Sequence, residues 1–132
     1  RLVSLRIFDS PSIMLTDMAG SRLPVVVAHG EGRAVYAAHE SPQAAGSAAA
    51  ARVAFGYVDN AGELTERYPL NPNGSPFGVA GVCNADGRVT ILMPHPERTL
   101  RAVNFSWCPP AWRGTSPWQR MFDNARTWTD DS

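Results

Sequence analysis

The 132-residue chain has no net charge, with 12 basic and 12 acidic residues, and this balance gives no indication of a surface for nucleic acid or membranes. No apolar run approaches the length of a membrane span. The two cysteines, Cys83 and Cys108, are too few for a disulfide scaffold and indicate reduced thiols in the cytoplasm. We therefore expect no nucleic-acid partner and no membrane partner. The chain begins at Arg1 directly in a strand pattern, which indicates a piece of a longer chain.

The first half of the chain predicts two strands and one helix. Residues 2–8 alternate between apolar and polar, as in a strand with one buried face. Residues 24–28 form a continuous β-branched run, which is typical of a strand buried on both faces. Ser41 and Pro42 supply an N-cap and a first-turn proline before the alanine-rich residues 43–51, which predict a helix.

The second half predicts strands joined by tight turns. Residues 52–57 read as a strand, and residues 64–68 are expected to complete a hairpin with it. Residues 79–83 and 88–93 flank Asn84-Ala85-Asp86-Gly87, which is a strong hairpin signal. The predicted sheet is therefore rich in hairpins.

The C-terminal segment predicts a helix. Ser116 is the expected N-cap and Pro117 the first helical residue. Apolar residues then follow at helical spacing and predict a face that packs on the core: Trp118, Met121, Phe122, Ala125 and Trp128. Together the elements predict an α/β fold with a mixed sheet, β-hairpins and a C-terminal helix.

The segment Pro94-His95-Pro96-Glu97-Arg98 carries the chemistry of the chain. Proline fixes its own φ and biases the preceding residue toward extended backbone, so His95 and Glu97 are expected on the same side of an extended segment. Glu97 would then accept the Nδ1 proton of His95, and Nε2 would take a proton from a thiol or hydroxyl. This is the base and orienter of a nucleophile–base–orienter triad.

Neither cysteine suits the role of the nucleophile. A nucleophile elbow of the type Gly-x-Cys-x-Gly, followed by a helix, is absent from the sequence. Cys83 enters a hairpin turn opposite about Arg88, and His95 lies seven residues farther, about 23 Å at roughly 3.3 Å per residue. Cys108 precedes two prolines, without a helix N-terminus to lower its pKa. We expect the nucleophile outside these 132 residues.

The His-Pro-Glu segment resembles the His/Glu segment of class I (triad) glutamine amidotransferases. Further segments resemble, in order and over essentially the whole chain, the C-terminal half of the glutaminase domain of large-form phosphoribosylformylglycinamidine synthases. They are Ala28-His29-Gly30-Glu31-Gly32-Arg33, Gly56-Tyr57-Val58-Asp59-Asn60, Tyr68-Pro69-Leu70-Asn71-Pro72-Asn73-Gly74-Ser75-Pro76 and Ser116-Pro117-Trp118 with Asn124-Ala125-Arg126.

The resemblance implies a flavodoxin-like fold in which residues 1–132 are a partial domain without its nucleophile half. It implies glutamine as substrate, His95 and Glu97 as catalytic residues, and Gly30 and Glu31 as glutamine-binding residues. The released ammonia would pass to a synthase region elsewhere in the polypeptide, a ligase that uses ATP and magnesium. No cofactor or metal is expected in this segment, and the isolated chain is expected to be inactive.

Two other functions remain open from the sequence. The chain could be a docking or regulatory segment without catalytic function, or it could belong to a peptidase that resembles γ-glutamyl hydrolase and uses the same triad. The role of the Asn71–Ser75 loop is also open between structure and substrate contact.

Overall fold

The computed structural model describes residues 2–28, 33, 35, 36 and 52–131. Their centre is a five-stranded sheet in which the strand order is β2-β1-β3-β4-β5. The strands are β1 (Leu2–Ile7), β2 (Arg22–Val26), β3 (Val53–Val58), β4 (Val79–Cys83) and β5 (Thr90–Leu92). A C-terminal helix, α1, spans Gln119–Asp130.

Strands β1 and β2 form an antiparallel pair with one strongly buried face. Val3, Leu5 and Ile7 of β1 are buried and alternate with partly exposed residues, as the sequence predicts. In β2, Leu23 and Val25 are buried in the same alternating manner. The continuous β-branched run therefore does not mark a strand buried on both faces, and that prediction is wrong for β2.

The strand that is buried on both faces is β3, which pairs with β1 on one side and β4 on the other. Phe55 packs against Trp118, with 6.2 Å between their ring centroids. A Cβ at Gly56 would lie 2.4 Å from the Leu64 side chain and 2.8 Å from that of Phe8. Because both faces are covered, β3 holds the middle of the core.

The hairpin of β4 and β5 confirms the turn predicted at residues 84–87. The pairing differs by two residues from the expected one, because Cys83 lies opposite Thr90 rather than Arg88. The Asn84 N–H donates to the Val89 carbonyl at 3.0 Å, and the connection between the strands takes up two more residues, Arg88 and Val89, on its C-terminal side. His95 then follows Thr90 by five residues, a span of roughly 16 Å in extended chain.

Residues 64–68 do not form the expected strand of a hairpin. Only an isolated bridge joins Val58 to Leu64. Beyond it, the Thr65 hydroxyl accepts the Arg67 N–H at 3.1 Å, and the Thr65 carbonyl accepts the Asn71 side-chain amide at 3.0 Å. Side chains therefore take hydrogen bonds that a second strand would need for its ladder.

Helix α1 packs the core with its N-terminal half. Trp118 and Met121 are buried, and Phe122 packs against the cluster from a partly buried position. Trp128 is 38% exposed, so its predicted place in the core is wrong. Its ring instead lies beneath Arg88 of the hairpin turn, with the guanidinium carbon 5.4 Å from the ring centroid.

The α/β class with hairpins and a C-terminal helix is confirmed, but the described strands do not form a mixed sheet. Every strand pairing in the described part of the chain is antiparallel. Two parallel strands that are neighbours need a long crossover connection between them. Strands β2 and β3 are joined by a long connection, but they are not neighbours, because β1 lies between them. The helix predicted at residues 43–51 lies outside the described residues.

Candidate functional site

His95 lies just beyond the end of β5, at a position fixed by the neighbouring backbone. Met93 N–H donates to the Ala80 carbonyl at 3.0 Å, which continues the β4–β5 pairing. The His95 N–H then crosses to β2 and donates to the Val26 carbonyl at 2.8 Å. Pro94 and Pro96 on either side are buried. The backbone that carries the imidazole is thereby hydrogen-bonded to β4 on one side and to the edge strand β2 on the other.

The predicted contact between His95 and Glu97 is confirmed. The distance from His95 Nδ1 to Glu97 Oε1 is 2.8 Å. The side chains are 31% and 53% exposed, respectively. With Glu97 ionised, Nδ1 carries the proton and the imidazole presents Nε2 for proton transfer.

The backbone that produces this contact is not the extended segment expected from the sequence. His95 itself is close to extended, with φ −117° and ψ 79°, but Pro96–Arg98 forms a 3₁₀ turn. The fixed φ of Pro96 suits the first position of a helical turn as well as an extended chain. The turn folds Glu97 back toward the preceding imidazole.

The Asn71–Ser75 loop lies beside the strand end that leads to His95. The Asn71 amide donates to the Thr65 and Ser75 carbonyls at 3.0 and 2.9 Å and accepts the Ser75 N–H at 3.0 Å. The Ser75 hydroxyl contacts the Met93 sulfur at 3.9 Å. Asn71 and Ser75 are fully buried. The asparagine therefore organises the loop from within.

Gly30 and Glu31, the predicted glutamine-binding residues, lie outside the described residues. Of the two cysteines, Cys83 is buried and Cys108 is partly buried. Cys83 lies at the end of β4 that pairs with the start of β5, whereas His95 lies beyond the far end of β5. The structure thus does not bring Cys83 to the imidazole.

Titratable groups away from the pair are perturbed for structural reasons. Burial raises the pKa of Tyr57 in β3 to about 12. Burial also raises the pKa of Tyr36. The Arg88 backbone N–H, which donates to Asp86, lowers the pKa of that exposed carboxyl.

The described residues contain no group of three or more His, Cys, Asp or Glu side chains suited to hold a metal ion. They also contain no helix that is both long and apolar enough to cross a membrane.

Residues 1–129 match the family of CobB/CobQ-like glutamine amidotransferase domains. The chain belongs to this family. Membership agrees with the class of enzyme that the His-Pro-Glu segment resembles. The role of each residue in this amidotransferase domain remains a prediction, because the match assigns none.

The fold is similar to a solved structure of PurLQS from Thermotoga maritima. The TM-score is 0.65 with 23% sequence identity, over 98% of this chain and 47% of that chain. The predicted fold of a glutamine amidotransferase domain is confirmed by this similarity. The amidotransferase domain described here spans about half the length of the PurLQS chain that it matches.

Sequence reasoning missed two buried hydroxyl residues next to the turn that carries Glu97. Thr99 is fully buried and Ser116 nearly so, and they form hydrogen bonds on the C-terminal side of the Pro96–Arg98 turn. Ser116 was predicted only as the helix N-cap, and that prediction is wrong, because α1 begins at Gln119 with Trp118 at the N-cap position. For Thr99, the one available signal was its position directly after the His-Pro-Glu-Arg segment.

Proposed function

We propose that this domain contributes the general base and its orienting carboxylate to glutamine hydrolysis. The observation that carries the proposal is the 2.8 Å contact between His95 Nδ1 and Glu97 Oε1, on a backbone fixed from both sides. Membership of the glutamine amidotransferase family supplies the substrate class.

The proposed reaction needs a cysteine thiol, which we place outside residues 1–132. His95 Nε2 takes the thiol proton, and the thiolate attacks the side-chain carbonyl carbon of glutamine. The same proton then goes to the leaving nitrogen, which departs as ammonia. Water attacks the thioester with His95 as base, so glutamine and water give glutamate and ammonia. Glu97 holds the tautomer and stabilises the imidazolium.

We further propose that the parent enzyme is a phosphoribosylformylglycinamidine synthase. The support is the resemblance of the Asn-Pro-Asn-Gly-Ser loop and the C-terminal segment to that family, together with the fold shared with PurLQS. In this proposal the ammonia converts formylglycinamide ribonucleotide to the amidine in purine biosynthesis, in the cytoplasm. The ligase chemistry with ATP and magnesium belongs to the rest of the polypeptide.

Two further proposals concern the glutamine-binding residues, which lie outside the described part of the chain, and the activity of the 132 residues alone. Gly30 and Glu31 are proposed to bind the α-amino and α-carboxylate ends of glutamine, because a glycine lets backbone N–H groups approach a ligand closely. The 132 residues alone are proposed to be inactive, because Cys83 and Cys108 do not suit the nucleophile's role.

The test is His95→Ala in the complete enzyme, assayed with glutamine and separately with an ammonium salt at a pH that supplies ammonia. We expect the glutamine-dependent rate to fall about 10³-fold, because a general base typically contributes that much. The ammonium-dependent rate should stay unchanged, since ammonia would reach the acceptor without glutaminase chemistry.

Equal loss of both rates in a folded His95→Ala protein would overturn this role for His95. An unchanged glutamine-dependent rate would favour the docking or regulatory alternative. Release of glutamate from γ-glutamyl peptides but not from glutamine would favour the alternative that resembles γ-glutamyl hydrolase.

A further inference from the structure

The carbonyl of Pro96, at the start of the turn that carries Glu97, accepts two hydrogen bonds from Thr99. The Thr99 backbone N–H donates to it at 2.9 Å and the Thr99 hydroxyl at 3.0 Å. Thr99 is fully buried. The hydroxyl therefore adds a second attachment to a turn that already has its backbone hydrogen bond.

Ser116, three residues before the start of α1, extends this attachment toward the helix. Its hydroxyl donates to the Thr99 carbonyl, and its backbone N–H donates to the Leu100 carbonyl at 2.8 Å. The same hydroxyl oxygen accepts the Trp118 N–H at 3.3 Å. Ser116 is only 3% exposed, so water does not compete for these bonds.

The start of α1 is also attached to the strand that holds His95. The indole N–H of Trp118 donates to the Pro24 carbonyl of β2 at 2.7 Å, and Trp118 is fully buried. Two residues along β2, the Val26 carbonyl accepts the His95 N–H. One buried segment therefore fixes the backbone on both sides of the His95–Glu97 pair.

The exposure of Glu97 makes this backbone support important. A carboxylate that is 53% exposed can exchange its contact with the imidazole for water at little cost. What keeps it at 2.8 Å from Nδ1 is then mainly the position of its Cα in the Pro96–Arg98 turn. We infer that Thr99 and Ser116 are positioning residues that hold Glu97 against His95. The inference rests on the proposed function of the pair.

The sharpest variant is Thr99→Val, which removes the hydroxyl but keeps the size and the backbone N–H donor. A displacement of a catalytic group by about 1 Å lowers the rate roughly a hundredfold, and we expect Glu97 to move by less than that. We therefore expect kcat for glutamine hydrolysis to fall about tenfold, with KM for glutamine unchanged. Thr99→Ser keeps the hydroxyl and should restore most of kcat. Ser116→Ala should resemble Thr99→Val.

Ser12→Ala is the matched control for the loss of a buried hydroxyl. Ser12 is 3% exposed, and its hydroxyl lies 2.6 Å from that of Thr90, at the far end of β5. This variant should lower the stability of the fold without changing kcat.

The double variant Thr99→Val/Glu97→Ala separates positioning from general stabilisation, because Glu97→Ala removes the contact that Thr99 is inferred to hold. If Thr99 acts through Glu97, the double variant should be no slower than Glu97→Ala alone. The inference would be overturned if the loss of kcat in the double variant equalled the product of the losses in the two single variants. A kcat for Thr99→Val equal to that of Ser12→Ala would also overturn it. His95→Ala distinguishes failure of this inference from failure of the proposed function. An unchanged glutamine-dependent rate in His95→Ala would overturn the proposed function itself.

Discussion

The Asn71–Ser75 loop and the Pro96–Arg98 turn both adjoin the strand end between Met93 and His95, but they use polar groups differently. In the loop, Asn71 and Ser75 are fully buried and satisfy each other's hydrogen bonds. In the turn, the paired side chains of His95 and Glu97 are partly exposed, and only their backbone is fixed.

This difference separates structure from chemistry within one small region. A buried amide whose hydrogen bonds are all internal stabilises a conformation and offers nothing to a ligand. A paired imidazole and carboxylate on a fixed backbone, open to solvent on one side, can transfer a proton to a bound molecule. We therefore propose a structural role for the loop and the catalytic role for the turn.

The largest expected effect on the loop comes from Asn71→Ala. The substitution leaves the Ser75 N–H and two carbonyls without their buried partner, and it should lower the free energy of unfolding by about 3 kcal/mol. Urea denaturation measures the change. Asn60→Ala, at an exposed turn position, is the control and should stay within about 0.5 kcal/mol of the wild type. Equal stability of the two variants would contradict a structural role for the loop.

A smaller effect, on rate rather than on stability, is expected from Glu97→Gln. The amide can keep the contact with His95 Nδ1 but loses the charge that stabilises the imidazolium. Because a hydrogen bond to a charged group contributes about 2 kcal/mol, the glutamine-dependent rate should fall about 30-fold. Steady-state kinetics with glutamine and with ammonium measure the difference. A loss as large as that of His95→Ala would mean that Glu97 transfers a proton itself.

The smallest effect is expected from Gly74→Ala in the loop. Gly74 has φ +65°, and a Cβ there would meet nothing within 4 Å, so the cost is that of a left-handed residue, about 1 kcal/mol. Gly20→Ala, with φ +86° and equal space, should cost the same. If Gly74→Ala alone also abolished glutamine turnover, the loop would contact substrate and the comparison would fail.

The sequence predicted those parts of the fold that depend on local patterns. Alternation in β1, the Asn84–Gly87 turn signal and the apolar spacing of α1 each act within a few residues. The sequence failed for Trp128 because its ring packs on Arg88, which is distant in the chain. It failed for residues 64–68 for a local reason, because the Thr65 and Asn71 side chains form hydrogen bonds there in place of a strand ladder.

The same limit applies to the candidate site. The His95–Glu97 contact was predictable because two residues separate its members and prolines restrict the backbone between them. The hydrogen bond between Ser116 and Thr99 was not, because 17 positions separate these residues and the backbone bridge between Arg101 and Thr115 brings their segments together. The form of the turn itself was also missed, since proline suits both extended and helical backbone.

The central claim is that the turn carries out chemistry and the loop maintains structure. It is tested most directly by the rate of glutamate release per folded molecule, measured in parallel for His95→Ala and Asn71→Ala in the complete enzyme. We predict that folded Asn71→Ala stays within about threefold of the wild type, whereas fully folded His95→Ala loses about 10³-fold. A folded Asn71→Ala protein that loses turnover while His95→Ala retains it would contradict the account.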